Sequence, residues 1–404
     1  IMSKRNLRSL EHLADEEQEL YTNIRRSRIK KQNEVKLSVI ALITKNNIYD
    51  LSDKSKNSHF DNLPQDIIFK FEQLNKRQFN VENVISRKLS NIMNKSLSLK
   101  DKLAEVEKTH VTNNNERAHK EAYRFILHQH VHKSNLFSNA SIKNYSEEDF
   151  KLKFWSYIFE EIFGYSNINL KWGDTVPGSL SKTNITSKMD LRVSASSAPL
   201  DYSLTEFAKE CTSQKYYLDK LKLVLVSKLH LNSLLKNLKS TQTDLYVPFM
   251  QIMGFDCHLL HLVLVKPKHY MLVNVVTFSY PVTRTQINEG GIEQLINVLS
   301  YIKRSALEMK AQIDNARTKK HISKIDDLLG GSPIAESQQW ETKVTWPDMS
   351  ILEDNFNWDN GTEDAEEDIH DGEEDEHEED KEEEETVGDS NEEDEGEKID
   401  DEEN

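Results

Sequence analysis

The sequence predicts an α+β protein with a helical N-terminal region, a mixed β-sheet flanked by helices and a disordered acidic C-terminal tail. Three observations point to it. Apolar residues recur at three- and four-residue spacing through the first 140 residues. From about residue 145, short aromatic and β-branched runs are interleaved with helical patterns. After residue 350 acidic residues replace apolar periodicity. The expected divisions are 1–140, 141–334 and 335–404.

Charge is divided just as unevenly. Of 69 Asp and Glu residues, 30 lie between Ile351 and Asn404, against two lysines, Lys381 and Lys398. Residues 1–350 hold the other 39 acids and 50 basic residues, so a body near +11 is joined to a tail of −28. Such a tail buries too little apolar surface to offset the entropy of ordering it. It is expected to act as a solubilising segment, to compete with nucleic acid for the basic body, or to bind a basic protein partner.

Two cysteines, Cys211 and Cys257, are too few for a disulfide framework and point to a reducing, intracellular setting, nucleus or cytoplasm. The longest apolar stretch, Leu259 to Phe278, is interrupted by Lys266, Pro267, Lys268 and His269, so no membrane span is expected. Ile1-Met2-Ser3-Lys4-Arg5 lacks the apolar core of a signal peptide, and an Ile before the Met is expected of a fragment.

Along the chain, Leu13, Glu17, Leu20 and Ile24 keep helical spacing for less than three heptads, too short for a long coiled coil. Arg25, Arg26, Arg28, Lys30 and Lys31 follow, a run that suits nuclear import, phosphate contact or a solvated helix face. Pro64 opens a helix through Ile67, Ile68, Phe71 and Leu74, and another passes through Val84, Ile85, Leu89, Ile92 and Met93. After a break at Thr112-Asn113-Asn114-Asn115, Glu116 to His132 is again helical. His128 and His132 there lie one turn apart, without a further ligand nearby, and read as a solvated face.

Ser146-Glu147-Glu148-Asp149 is a capping-box signature, followed by the apolar face Phe150, Phe154, Ile158, Phe159, Ile162 and Phe163, with Gly164 placed to stop the helix. Strands are expected at Ile168–Trp172, Met189–Val193 and Tyr202–Ala208, then a lysine-studded helix over Gln214–Lys239. Further strands follow at Leu245–Met253, Leu259–Val265 and Tyr270–Phe278, the last two joined by a hairpin turn. Gly290-Gly291 precedes a final amphipathic helix through Ile292, Leu295, Ile296, Leu299 and Ile302.

The order helix, three strands, lysine-rich helix, strand over Tyr145 to Phe255 resembles the core of the PD-(D/E)XK nuclease superfamily. The resemblance implies that Asp190 on the second strand and Glu206 on the third hold Mg²⁺, with Glu160 or Glu161 as an accessory acid. It further implies a lysine two residues after Glu206, where Ala208 stands; Lys209 comes one later, and Lys215 or Lys220 on the next helix is an alternative. No proline precedes Asp190. Two facing carboxylates repel, a divalent cation relieves that repulsion, and the cation acidifies its water and stabilises charge on phosphate. The implied function is a nucleic-acid-binding protein with an active or degenerate phosphodiesterase core. The alternative is a non-enzymatic nuclear scaffold whose acidic tail holds a basic protein.

The stretch from Asn144 to Ile287 is also similar to a protein family of mucoralean-type fungi. The likeness rests on Phe154-Trp155, Leu170-Lys171-Trp172-Gly173, Met189-Asp190-Leu191-Arg192, Glu206-Phe207-Ala208 and Gln251-Ile252-Met253-Gly254-Phe255, and it implies a domain boundary without an activity.

Other chemistries lack their residues. Gly290-Gly291 has no following Lys-Ser/Thr, no Gly-x-Ser-x-Gly elbow exists, and the two cysteines are not at zinc spacing. Trp346, Met349, Ile351, Leu352, Phe356 and Trp358, interleaved with acids, suit either a partner-binding segment or a latch on the protein's own body.

Overall fold

The computed structural model describes residues 33–54, 63–77, 81–180, 183, 185–194, 200–238, 245–328 and 340–347. Its strands are β1 (Ile48–Asp50), β2 (Asn169–Thr175), β3 (Met189–Ser194), β4 (Asp201–Ala208), β5 (Tyr246–Met253), β6 (Asp256–Lys266) and β7 (His269–Ser279). Together they form one mixed sheet in the order β1-β7-β6-β5-β4-β3-β2. The pairs β1·β7 and β4·β5 are parallel and the rest antiparallel. Every residue of β3 and β4 is buried, which in an alternating strand requires cover on both faces of the sheet.

Helices provide that cover. In chain order they are α1 (33–45), α2 (Gln65–Arg77), α3 (Arg87–Met93), α4 (Leu99–Lys108), α5 (Asn114–His132), α6 (Asn139–Lys143), α7 (Glu147–Phe150), α8 (Ser156–Gly164), α9 (Ser213–Leu238), α10 (Arg284–Asn288) and α11 (Gly291–Leu328). The long α9 makes the crossover between the parallel strands β4 and β5, as parallel pairing demands. The capping box expected at Ser146 is present, with Asp149 N–H donating to Ser146 Oγ at 3.1 Å and Ser146 N–H to Asp149 Oδ2 at 2.9 Å. The helix it starts is not uniform: a π-turn at Lys151–Trp155 joins α7 to α8. Its apolar residues Phe150, Phe154, Phe159 and Phe163 are all buried.

The N-terminal helices do not form a body of their own. Val35, Val39 and Ile43 of α1, Ile48 of β1, and Ala122 and Ile126 of α5 belong to the same core as Phe154, Leu204, Leu221 and Leu299. The boundary expected at residue 140 therefore falls inside one core, and residues 1–356 cluster as one unit. The region expected to be mostly helical also contains β1, whose three residues pair in parallel with Tyr270, Met271 and Leu272.

Two glycines shape the turns. Gly254, between β5 and β6, has φ +59°, and a Cβ there would sit 2.9 Å from Lys209 O. A Cβ on Gly291 would sit 2.8 Å from Gln286 O, so only glycine admits the close packing of α10 on the start of α11. The basic run Arg25–Lys31, the N-terminal heptads and residues 348–404 lie outside the described residues. Within the segment expected to be disordered, residues 340–347 are placed against the body, with Trp340, Val344 and Trp346 packed on the core. No helix among the described residues is long and apolar enough to cross a membrane.

Candidate active site

Strand register brings the two predicted acids together. Leu191 of β3 pairs with Thr205 of antiparallel β4, so the next step along both strands sets Asp190 opposite Glu206. Opposed residues of an antiparallel pair share a face. Asp190 Oδ2 accepts the Phe207 N–H at 2.8 Å, and Oδ1 accepts from Lys151 Nζ at 3.0 Å. Lys151 comes from the π-turn and also reaches Glu147 Oε1 at 2.9 Å. Burial works against its ammonium, but the bonds to Glu147 and Asp190 outweigh that and hold its pKa above the ordinary lysine value.

Glu206 is 3% exposed, and one of its oxygens, Oε2, accepts from Lys222 Nζ at 2.8 Å. The other, Oε1, is buried without a hydrogen-bond partner. Burial pushes its pKa up to about 8; Lys222 opposes the rise while Asp219 and Asp190 add to it. Asp219, on α9, pairs through its Oδ2 with Lys215 Nζ at 3.4 Å. Burial raises it to about 6 against the pull of Lys215 and Lys222. Gln251 of β5 pairs with Glu206 in parallel register and donates to Tyr216 O at 2.8 Å, leaving its own buried Oε1 without a partner. The cluster is thus three carboxylates, each with one lysine upon it. Lys215, its side chain 43% exposed, marks the open side.

The other expected residues are placed differently. Lys220 is fully buried and pairs with Asp50 at 2.7 Å, because a step of one or two residues along a helix turns a side chain away from the stripe holding 215, 219 and 222. Lys209 is exposed just beyond the end of β4 and stands outside the cluster. Glu160 accepts from Trp172 Nε1 at 2.6 Å, and Glu161 is raised first by burial and then by Glu121. Both lie near the C-terminal end of α8, whereas it is the start of α7 and the π-turn, roughly 15 Å back along a helix rising 1.5 Å per residue, that reach the site. Lys151, Asp219, Lys222 and Gln251 were not identified from the sequence. The Lys215-x₃-Asp219-x₂-Lys222 spacing was a legible helical stripe.

Among the described residues no three His, Cys, Asp or Glu side chains are grouped so as to enclose a metal ion. Mg²⁺ does not need such an enclosure, since it is usually held by one or two carboxylates with water and phosphate completing its shell. One buried carboxylate oxygen without a hydrogen-bond partner among the described residues, Glu206 Oε1, in a cluster whose acids repel, fits a hard cation. Compared with known proteins, the chain matches no family model, no curated protein and no solved structure.

Proposed function

We propose that this chain is a nucleic-acid-binding protein with a nuclease-like core that cleaves a phosphodiester at the Asp190–Glu206 pair. The observation that carries the reading is the placement of these two acids opposite each other on β3 and β4 with Lys222 on Glu206. The element order α8, β2, β3, β4, α9, β5 supports it as well. Lys222, reaching down from α9, takes the place of the lysine expected at position 208, where Ala208 is buried.

In this reading Asp190 and Glu206 would hold Mg²⁺, which when bound would supply an acidified water and positive charge for the phosphate oxygens. Lys222 keeps Glu206 oriented and supplies charge to the transition state. Lys215, the most exposed lysine of the three, meets the incoming phosphate. Lys151 and the Phe207 N–H fix both oxygens of Asp190, so its orientation is set before substrate arrives.

A second reading rests on the same lysines. Each acid already has a cation upon it, which also suits a degenerate core that binds without cleaving, or a scaffold whose acidic run recruits a basic protein. The test is Mg²⁺-dependent cleavage of single- and double-stranded DNA and RNA by wild type, Asp190→Ala and Lys222→Met. Cleavage by wild type alone supports the enzyme. Binding that survives all three without cleavage transfers the reading to the degenerate core, and neither binding nor cleavage leaves the scaffold.

A further inference from the structure

The segment 340–347, Trp-Glu-Thr-Lys-Val-Thr-Trp-Pro, has no regular secondary structure, yet its main chain is gripped almost residue by residue. Asn46, at the end of α1, bonds both polar groups of Thr345: its Oδ1 accepts the Thr345 N–H at 2.8 Å and its Nδ2 donates to Thr345 O at 3.0 Å. Thr342 is held in the same way by two side chains. Asn232 of α9 donates to Thr342 O at 2.8 Å, and Tyr270 Oη of β7 accepts the Thr342 N–H at 3.3 Å. Tyr270 in turn donates to Asn232 Oδ1 at 2.6 Å, which fixes the pair. Lys228 Nζ donates to Lys343 O at 3.1 Å, and the Lys268 N–H of the β6–β7 turn donates to Trp340 O at 2.9 Å.

The side chains that hold the segment are buried, and each spends part of its bonding capacity on it. Asn46, Lys228, Asn232 and Tyr270 are each 8% exposed or less. Among the described residues, Lys228 donates to oxygen atoms of Asn46 and Lys343, with the Tyr270 ring 5.0 Å away. Without the segment, buried donors and acceptors on three elements would lose partners, a cost of about 1–3 kcal/mol for each group left unsatisfied. Packing alone does not require polar groups there; recognition of an extended main chain does, because an amide side chain can satisfy an N–H and a C=O together. Three apolar side chains, Trp340, Val344 and Trp346, anchor the segment on the core, while Lys343 alone is exposed.

We infer that the groove formed by the end of α1, α9 and the β6–β7 hairpin is a docking site for an extended peptide, and that its occupant is the chain's own 340–347 segment, held in cis as a strap. The inference is independent of the chemistry proposed for Asp190 and Glu206. Eleven residues separate the last residue of α11 from Trp340, so the tether presents the strap at an effective concentration on the millimolar scale, and cis occupancy excludes the same peptide added in trans.

The test uses the full chain and a fluorescent synthetic peptide of residues 338–348. Thr345→Pro in the chain removes the N–H that Asn46 accepts while leaving the groove intact. Hydrogen exchange should show amides of 340–347 protected in wild type and released in Thr345→Pro, with β5 and β6 unchanged in both. The peptide should then bind Thr345→Pro at least tenfold more tightly than wild type, and a double variant that adds Asn46→Ala should lose that binding. Thr342→Val, which keeps the main-chain N–H and C=O that Tyr270 and Asn232 hold, should leave the strap in place. The inference is overturned if Thr345→Pro leaves the strap protected, if the released groove ignores the peptide, or if wild type binds it equally well.

Discussion

Replacing Glu206 by Gln probes the cluster through stability, without needing a substrate. The carboxyl ordinarily titrates at 4.5 and is pushed up to about 8 by burial, so the folded chain binds this proton about three-thousandfold more tightly than the unfolded chain. That is roughly 4–5 kcal/mol as an upper bound, and a working figure of about 2–4 kcal/mol allows for adjustment of Lys222, Asp219 and Asp190 as Glu206 ionises. The raised value fixes the direction. The proton's contribution is complete below pH 4.5 and is lost as pH rises through about 8. Glutamine is nearly isosteric and never ionises. Urea unfolding at several pH values from 4 to 9.5 should therefore find Glu206→Gln within about 1 kcal/mol of wild type at pH 4 to 5. By pH 9 it should be about 2–4 kcal/mol more stable than wild type. Parallel stability curves for the two proteins would refute the argument, since Glu206 would then ionise as easily folded as unfolded.

The remaining expectations follow the same geometry. Lys222 supplies the one hydrogen bond to the Glu206 carboxyl among the described residues, so the cost of Lys222→Met should grow by about 1 kcal/mol between pH 6 and pH 9, as pH passes the Glu206 value of about 8, measured by the same titration. Truncation after residue 350 removes a charge of −28 from a body of +11; nucleic-acid affinity should rise and should fall with salt, and a truncated body that ignores DNA and RNA at low salt would sink the binding reading. Gly254→Ala puts a Cβ 2.9 Å from Lys209 O at φ +59°, and thermal unfolding should register a loss of about 2 kcal/mol or more.

Much of the candidate site could be read from residue patterns because its core lies on strands with strong local signals. Met189–Val193 and Tyr202–Ala208 were recognisable as strands, and Asp190 and Glu206 stood out as acids within apolar runs. The lysine-rich helix was recognisable as well, but which of its lysines serves the site was not. Lys215 and Lys220 both follow the third strand, and only the rotation of α9 against the sheet decides that Lys222 and Lys215 face the carboxylates while Lys220 faces Asp50. Lys151 was hidden for a related reason: a π-turn, invisible to a 3.6-residue pattern, sets the direction of its side chain.

By itself, then, the amino-acid order determined the strands and helices that local periodicity and turn residues specify, the separation of charge, and two acids set within apolar strand runs. Tertiary structure alone decided the long-range partners. The three residues of β1 carry too little pattern to be a strand until Tyr270, Met271 and Leu272 present an open edge to them. Residues 340–347 show no helix or strand period, and it takes Asn46, Lys228, Asn232 and Tyr270, far apart in the chain, to assemble a groove for their main chain. Both depend on contacts between residues about 70 to 300 apart in the sequence, and a main-chain N–H or C=O carries no trace in the sequence of which distant side chain will satisfy it.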